Sequence, residues 1–156
     1  MRTYAVPADF EVVKHVLEQP VTRISDAPSY RHHMTALHPD GSLSVRGVAD
    51  GAATYLATWP PGKAPDGSFL FAEGELYRGG LALGLVRNGR WIAQADVTQV
   101  GPFRIMIPVE PGPDYEVILA NRLTAGGPLN AFDIQRLGWL PLKPPEVIRI
   151  STAAGR

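Results

Sequence analysis

Between Leu81 and Val97 the chain reads LALGLVRNGRWIAQADV, two apolar runs around an Asn88-Gly89 pair. That dipeptide between such runs is the strongest short-range signal for a two-residue β-hairpin, with positive φ at both turn positions. The turn sets a register in which Arg87 faces Arg90, Val86 faces Trp91 and Leu85 faces Ile92. One sheet face then carries Leu81, Leu83, Leu85 and Ile92, and the other Ala82, Gly84, Val86, Trp91, Ala93 and Ala95. One Trp among small side chains is either a surface on which a flat ligand stacks or a bed for a loop or helix.

The rest of the chain is punctuated in the same way. Strands are predicted at Leu43–Val48, Ala53–Trp59, Phe69–Leu76, Gly80–Val86, Trp91–Val97, Phe103–Pro108, Tyr115–Asn121 and Phe132–Trp139, joined by turns such as Pro39-Asp40-Gly41 and Pro61-Gly62. Ahead of them, Ala8–Glu18 places Phe10, Val13, Val16 and Leu17 at helical spacing, with Asp9 as N-cap and Pro20 as a stop, and leaves His15 on the solvated side. Residues Pro20–Pro39 read as an irregular connector. The tail PLKPPEVIRISTAAGR is extended, with a short edge strand at Val147–Ile150. About eight antiparallel strands and one short N-terminal helix predict an all-β jelly roll or β-sandwich. Its core is residues 42–140 of a single domain, 1–156. Alternation assigns that core to Leu83, Leu85, Ile92, Phe103, Ile105, Ile107, Tyr115, Val117, Leu119 and Ile134, with Arg104 and Met106 on the other face.

Composition narrows the function classes. The 156 residues suffice to bury a core without staples, and there are no cysteines, so neither disulfides nor thiolate chemistry are expected. The 15 basic and 15 acidic side chains cancel and are interspersed, which argues against nucleic acid or an anionic membrane as partner. The start MRTYAVPADFEVV has Pro7 and Asp9 where a signal peptide needs an apolar run, and no stretch approaches the roughly 20 apolar residues of a membrane span. The expectation is a soluble, cytoplasmic protein.

No catalytic constellation stands out. Gly79-Gly80 followed by Gly84 lacks the Lys-Ser/Thr of a phosphate loop, and no serine sits in a Gly-x-Ser-x-Gly elbow. Neighbouring His32 and His33 point to opposite sides of an extended chain, so with His38 and Asp40 they read as a polar connector before a metal site. Glu73 and Glu75 share one strand face, as a cation seat, an acid/base pair or simply a solvated edge. No cofactor or metal is predicted. What remains is the inventory of a carbohydrate site, where stacking rings combine with polar side chains. Trp91 and Trp59 are the candidate rings. Tyr30, Arg31 and Asn121 are the hydrogen-bonding candidates, although Asn121, at the end of an apolar face, equally suits tying down the loop that follows. Trp139, ending a strand before Pro141, reads as a core or edge plug.

The pattern Gly80-Leu81, Gly84-Leu85, Trp91, Gly101, Phe103, Tyr115, Ala120-Asn121 and Phe132-x-Ile134-x-Arg136-x-Gly138-Trp139 resembles galactose-binding-like jelly-roll domains attached to bacterial glycosyltransferases, methyltransferases and related surface-glycan enzymes. The resemblance implies a non-catalytic accessory module that recognises a glycan or glycoconjugate, with a glycan-processing enzyme or a second copy as further partners. The alternative is a structural domain that docks a partner protein, or itself, through a sheet face.

Overall fold

A computed structural model describes residues 2–3, 24, 28–30, 34–48, 55–62, 68–109, 114–122, 124 and 127–141. The predicted helix 8–18 with His15, the residues Arg31, His32 and His33, and the tail strand at 147–150 lie outside them. The described residues form eleven strands and no helix: β1 (Arg2–Thr3), β2 (Ser29–Tyr30), β3 (Thr35–Leu37), β4 (Leu43–Val48), β5 (Tyr55–Gly62), β6 (Ser68–Arg78), β7 (Leu81–Arg87), β8 (Arg90–Val97), β9 (Gly101–Pro108), β10 (Tyr115–Asn121) and β11 (Leu129–Pro141). Strands β2 and β3 fall within the segment expected to be an irregular connector.

The strands make two sheets, in the order β1-β8-β7-β10-β5-β2 and β3-β4-β11-β6-β9. From β4 to β11 each strand hands over to the opposite sheet, except at the β7–β8 hairpin, and the resulting orders β4-β11-β6-β9 and β5-β10-β7-β8 are those of a jelly roll. The pairing is antiparallel apart from β1, which runs parallel to β8 at one edge. Both sheets turn an apolar side inward, where Leu56, Leu70, Leu83, Ile105, Leu119 and Phe132 are wholly buried. Nine of the ten predicted core residues belong to this cluster, and Ile92 packs against it partly buried. Trp139 is in the cluster too, as a plug.

The hairpin turn is as predicted, with φ of 52° at Asn88 and 75° at Gly89. The register beyond it is not. Arg87 faces Arg90 and Val86 faces Trp91, but Leu85 faces Ala93, so Ile92 is an extra residue in β8, a β-bulge. Past a bulge every side chain changes face. Ala93 and Ala95 therefore turn into the core beside Leu85 and Leu83, while Gln94 and Asp96 turn outward opposite Gly84 and Ala82. The physical reason lies in those two polar residues. Unbroken alternation from Ile92 carries Gln94 and Asp96 into an apolar interior, where burying an amide and a carboxylate without partners costs several kcal/mol, by an order-of-magnitude estimate. The same device recurs at Leu56 in β5, Tyr77 in β6 and Gln135 in β11.

Candidate functional site

The outward side of the six-stranded sheet carries the most developed side-chain arrangement around a predicted site residue. Trp91 leaves the hairpin one residue before the bulge and lays its six-membered ring over Gly84 on the neighbouring strand. A Cβ at Gly84 would lie 2.1 Å from Cζ3 and 2.3 Å from Cε3 of that ring. The indole Nε1–H donates to the Tyr55 hydroxyl at 3.2 Å, and the two rings meet edge-on at 61° with centroids 6.0 Å apart. Tyr55 belongs to β5, so the pair spans β7 and β10. Beside it, Gln94 Nε2 donates to Asp96 Oδ1, and Asp96 Oδ2 accepts from Arg122 Nη2 at 3.0 Å. A part-exposed indole, a Tyr ring 44% exposed and a row of donors and acceptors thus share one face.

The predicted site residues do not all converge there. Trp59 faces the interior, opposite Val117, and is only 5% exposed, so its ring fills the core and offers no outer platform. Asn121 pairs with Leu81 on the inward side, wholly buried, where a loop-tying role fits its position and a shared site with Trp91 does not. Tyr30 lies on β2 at the sheet edge, its backbone paired with Ala57. Arg31 lies outside the described residues. The sheet itself separates Trp91 from Trp59 and Asn121, and the space over Gly84 is occupied by the Trp91 ring. Tyr55, Gln94, Asp96 and Arg122 were missed by the sequence reading. The bulges at Leu56 and Ile92 put the first three outward, against simple alternation.

On the opposite sheet the Glu73/Glu75 pair splits in role. Glu73 bridges Arg104 at 3.2 Å and Arg136 at 3.5 Å, a cross-strand charge network, whereas Glu75 makes no ion pair among the described residues. Further along this face, the Tyr77 hydroxyl donates to Asp133 Oδ2 at 2.9 Å, Arg46 Nη2 forms an ion pair with Oδ1 at 3.0 Å, and Ser44 stands opposite Asp133 across the ladder. Burial pushes the Asp133 carboxyl up, but the neighbouring Tyr77 and Ser44 hydroxyls and the Arg46 guanidinium together outweigh it and hold Asp133 below its ordinary value of 3.8. The same bond to Asp133, helped by the negative charges of Asp133 and Glu75, raises the Tyr77 phenol. His38 Nε2 lies 2.9 Å from Ser44 Oγ. A nucleophilic triad needs the imidazole between hydroxyl and carboxylate. Here the hydroxyl lies between the other two. Asp40 is spent on a turn, accepting from Ser42 N at 2.9 Å and Ser42 Oγ at 2.6 Å.

Two measurements check these contacts. Gly84→Ala drives a methyl into the Trp91 ring, so it is expected to lower stability by about 1–3 kcal/mol, as overpacking does, and to shift the tryptophan emission. An unaltered melt and spectrum would show that the ring does not rest on Gly84. Because the folded pKa of Asp133 is depressed, its contribution is full above the ordinary carboxylate value and fades as pH falls below 3.8 toward the folded value. Melts as a function of pH are therefore expected to show Asp133→Asn losing stability at neutral pH and the difference from the parent chain shrinking in acid. A constant difference would contradict the ionised network.

Compared with protein-family models, with curated proteins and with solved structures, the chain finds no match. The functional reading accordingly rests on the chemistry of the two outward sheet faces.

Proposed function

We infer that the chain is a non-catalytic carbohydrate-recognition module that binds a glycan or glycoconjugate on the outward side of the six-stranded sheet. The observation that carries this reading is the Trp91–Tyr55 pair, fixed by the 3.2 Å hydrogen bond and by the seat on Gly84, with Asp96 and Arg122 alongside. Pyranoses present apolar C–H faces rimmed by hydroxyls, so a ring that is already immobile beside a carboxylate and a guanidinium matches both parts of the ligand. Immobility also lowers the ordering cost of binding. The jelly-roll order is consistent with the resemblance to galactose-binding-like domains of surface-glycan enzymes, and on that reading the module serves such an enzyme. Tyr55, Trp91 and Arg122 are also the residue types that dominate protein interfaces, which keeps docking of a partner or a second copy as the rival.

The test is binding of the purified chain to an oligosaccharide array, with size-exclusion chromatography in parallel. Trp91→Ala is expected to remain folded at a lower melting temperature and to lose at least tenfold in affinity, and Arg122→Ala is expected to weaken the same glycans. If folded Trp91→Ala binds every glycan as the parent does, the indole only packs the sheet. If instead the parent self-associates and Trp91→Ala is monomeric without any change in glycan binding, the rival reading holds.

A further inference from the structure

We propose that the outward side of the five-stranded sheet holds a second carbohydrate platform, centred on Tyr77 and binding the pyranose rings of neutral oligosaccharides. Tyr77 is the bulged residue of β6, for Arg78 faces Ala131 and Leu76 faces Phe132 while Tyr77 has no partner of its own. Bulges re-aim side chains, and this one delivers a ring that is 47% exposed onto the sheet surface. Such a ring on a surface ordinarily swings free. Here the hydroxyl is tethered to Asp133 at 2.9 Å, and the Arg46 guanidinium stands 5.1 Å from the ring centroid. Arg46 is itself pinned, with Nη1 donating to the carbonyls of Val45 at 2.8 Å and Phe132 at 2.9 Å, and Nη2 bound to Asp133. The two carbonyl bonds employ two of the five N–H donors of a guanidinium.

Glu75 completes the set. It precedes Tyr77 by two residues, faces Asp133 across the ladder, and has no ion pair among the described residues. A fixed ring, a pinned donor and a neighbouring acceptor are the parts needed to hold the C–H face and the rim hydroxyls of a pyranose. The argument uses nothing from the Trp91 face, which belongs to the other sheet.

The experiment is an array of neutral and acidic oligosaccharides probed with the parent chain, Trp91→Ala, Tyr77→Ala, their combination and Glu75→Gln, each first shown to melt cooperatively. Trp91→Phe replaces Trp91→Ala if truncation unfolds the chain, and Glu75→Gln carries the Tyr77 arm if Tyr77→Ala does. At least one neutral oligosaccharide is expected to stay bound when Trp91 is changed, and to lose at least tenfold when Tyr77→Ala is added. Glu75→Gln is expected to weaken the same glycan several-fold. If the Trp91 variant alone abolishes every signal, or if the Tyr77 and Glu75 variants leave all neutral binding unchanged, the second platform does not exist. If Tyr77→Ala loses binding and the Trp91 variant loses none, the Tyr77 platform stands and the Trp91 reading falls. A parent chain that binds no oligosaccharide overturns both.

Discussion

Keeping Gln94 and Asp96 out of the core is the constraint on which the six-stranded sheet depends. The hairpin turn fixes where β8 begins, and the core needs Ala93 and Ala95 against Leu85 and Leu83. Both demands are met only by one extra residue between Trp91 and Ala93. Ile92 is that residue, and its partly buried side chain still packs against the core. The consequences spread outward. Trp91 falls on the outer side of the sheet, where its ring reaches over Gly84 of the neighbouring strand, the residue with no Cβ to obstruct it. Gln94 and Asp96 follow on the same side, where Arg122 meets Asp96. A rule of burial inside the sandwich thereby composes the polar and aromatic surface outside it.

The two outward faces solve the exposure of a sheet differently. On the six-stranded sheet the central strands β7 and β10 are apolar on both sides, as Val86, Ile118 and Ala120 show by their burial, and the aromatic pair crosses them. The five-stranded sheet carries charge instead, in the Glu73 pairs with Arg104 and Arg136 and in the Asp133 cluster. Exposed ion pairs of this kind contribute little to stability individually. Their effect is positional, because each pair holds long side chains in one arrangement over the strands. Tyr77, locked into one such cluster, keeps a defined orientation that an isolated surface tyrosine would lack.

Much of this was legible in the sequence. The strand runs, the Asn88-Gly89 turn and the inward sets of β9 and β10 follow from alternation and turn chemistry alone, and the jelly-roll class from the number and spacing of the strands. The reversed faces share one cause. Alternation is read with period 2, and a single bulge reverses it for every residue beyond. At Ile92 the clue was present, since Gln94 and Asp96 have the parity of Ile92 and an apolar interior rejects them. At Leu56 no polar residue marks the reversal that turns Tyr55 outward, so nothing local revealed it. Trp59 and Asn121 were placed with Trp91 because all three are stacking or hydrogen-bonding residues near turns, yet residue type does not say on which side of a sheet a side chain lies. The partner of Trp91 is another such case: Tyr55 is 36 residues away and meets it only across two intervening strands.

The most direct test of the account is the register of the β7–β8 hairpin in solution, read from cross-strand nuclear Overhauser effects. The bulge at Ile92 predicts contacts between the backbones of Leu85 and Ala93 and between those of Leu83 and Ala95, together with contacts from the Gly84 α-protons to the six-membered ring of Trp91. Contacts pairing Leu85 with Ile92, with no signal between Gly84 and the indole, would contradict the bulge and with it the outward surface built on Trp91, Gln94 and Asp96.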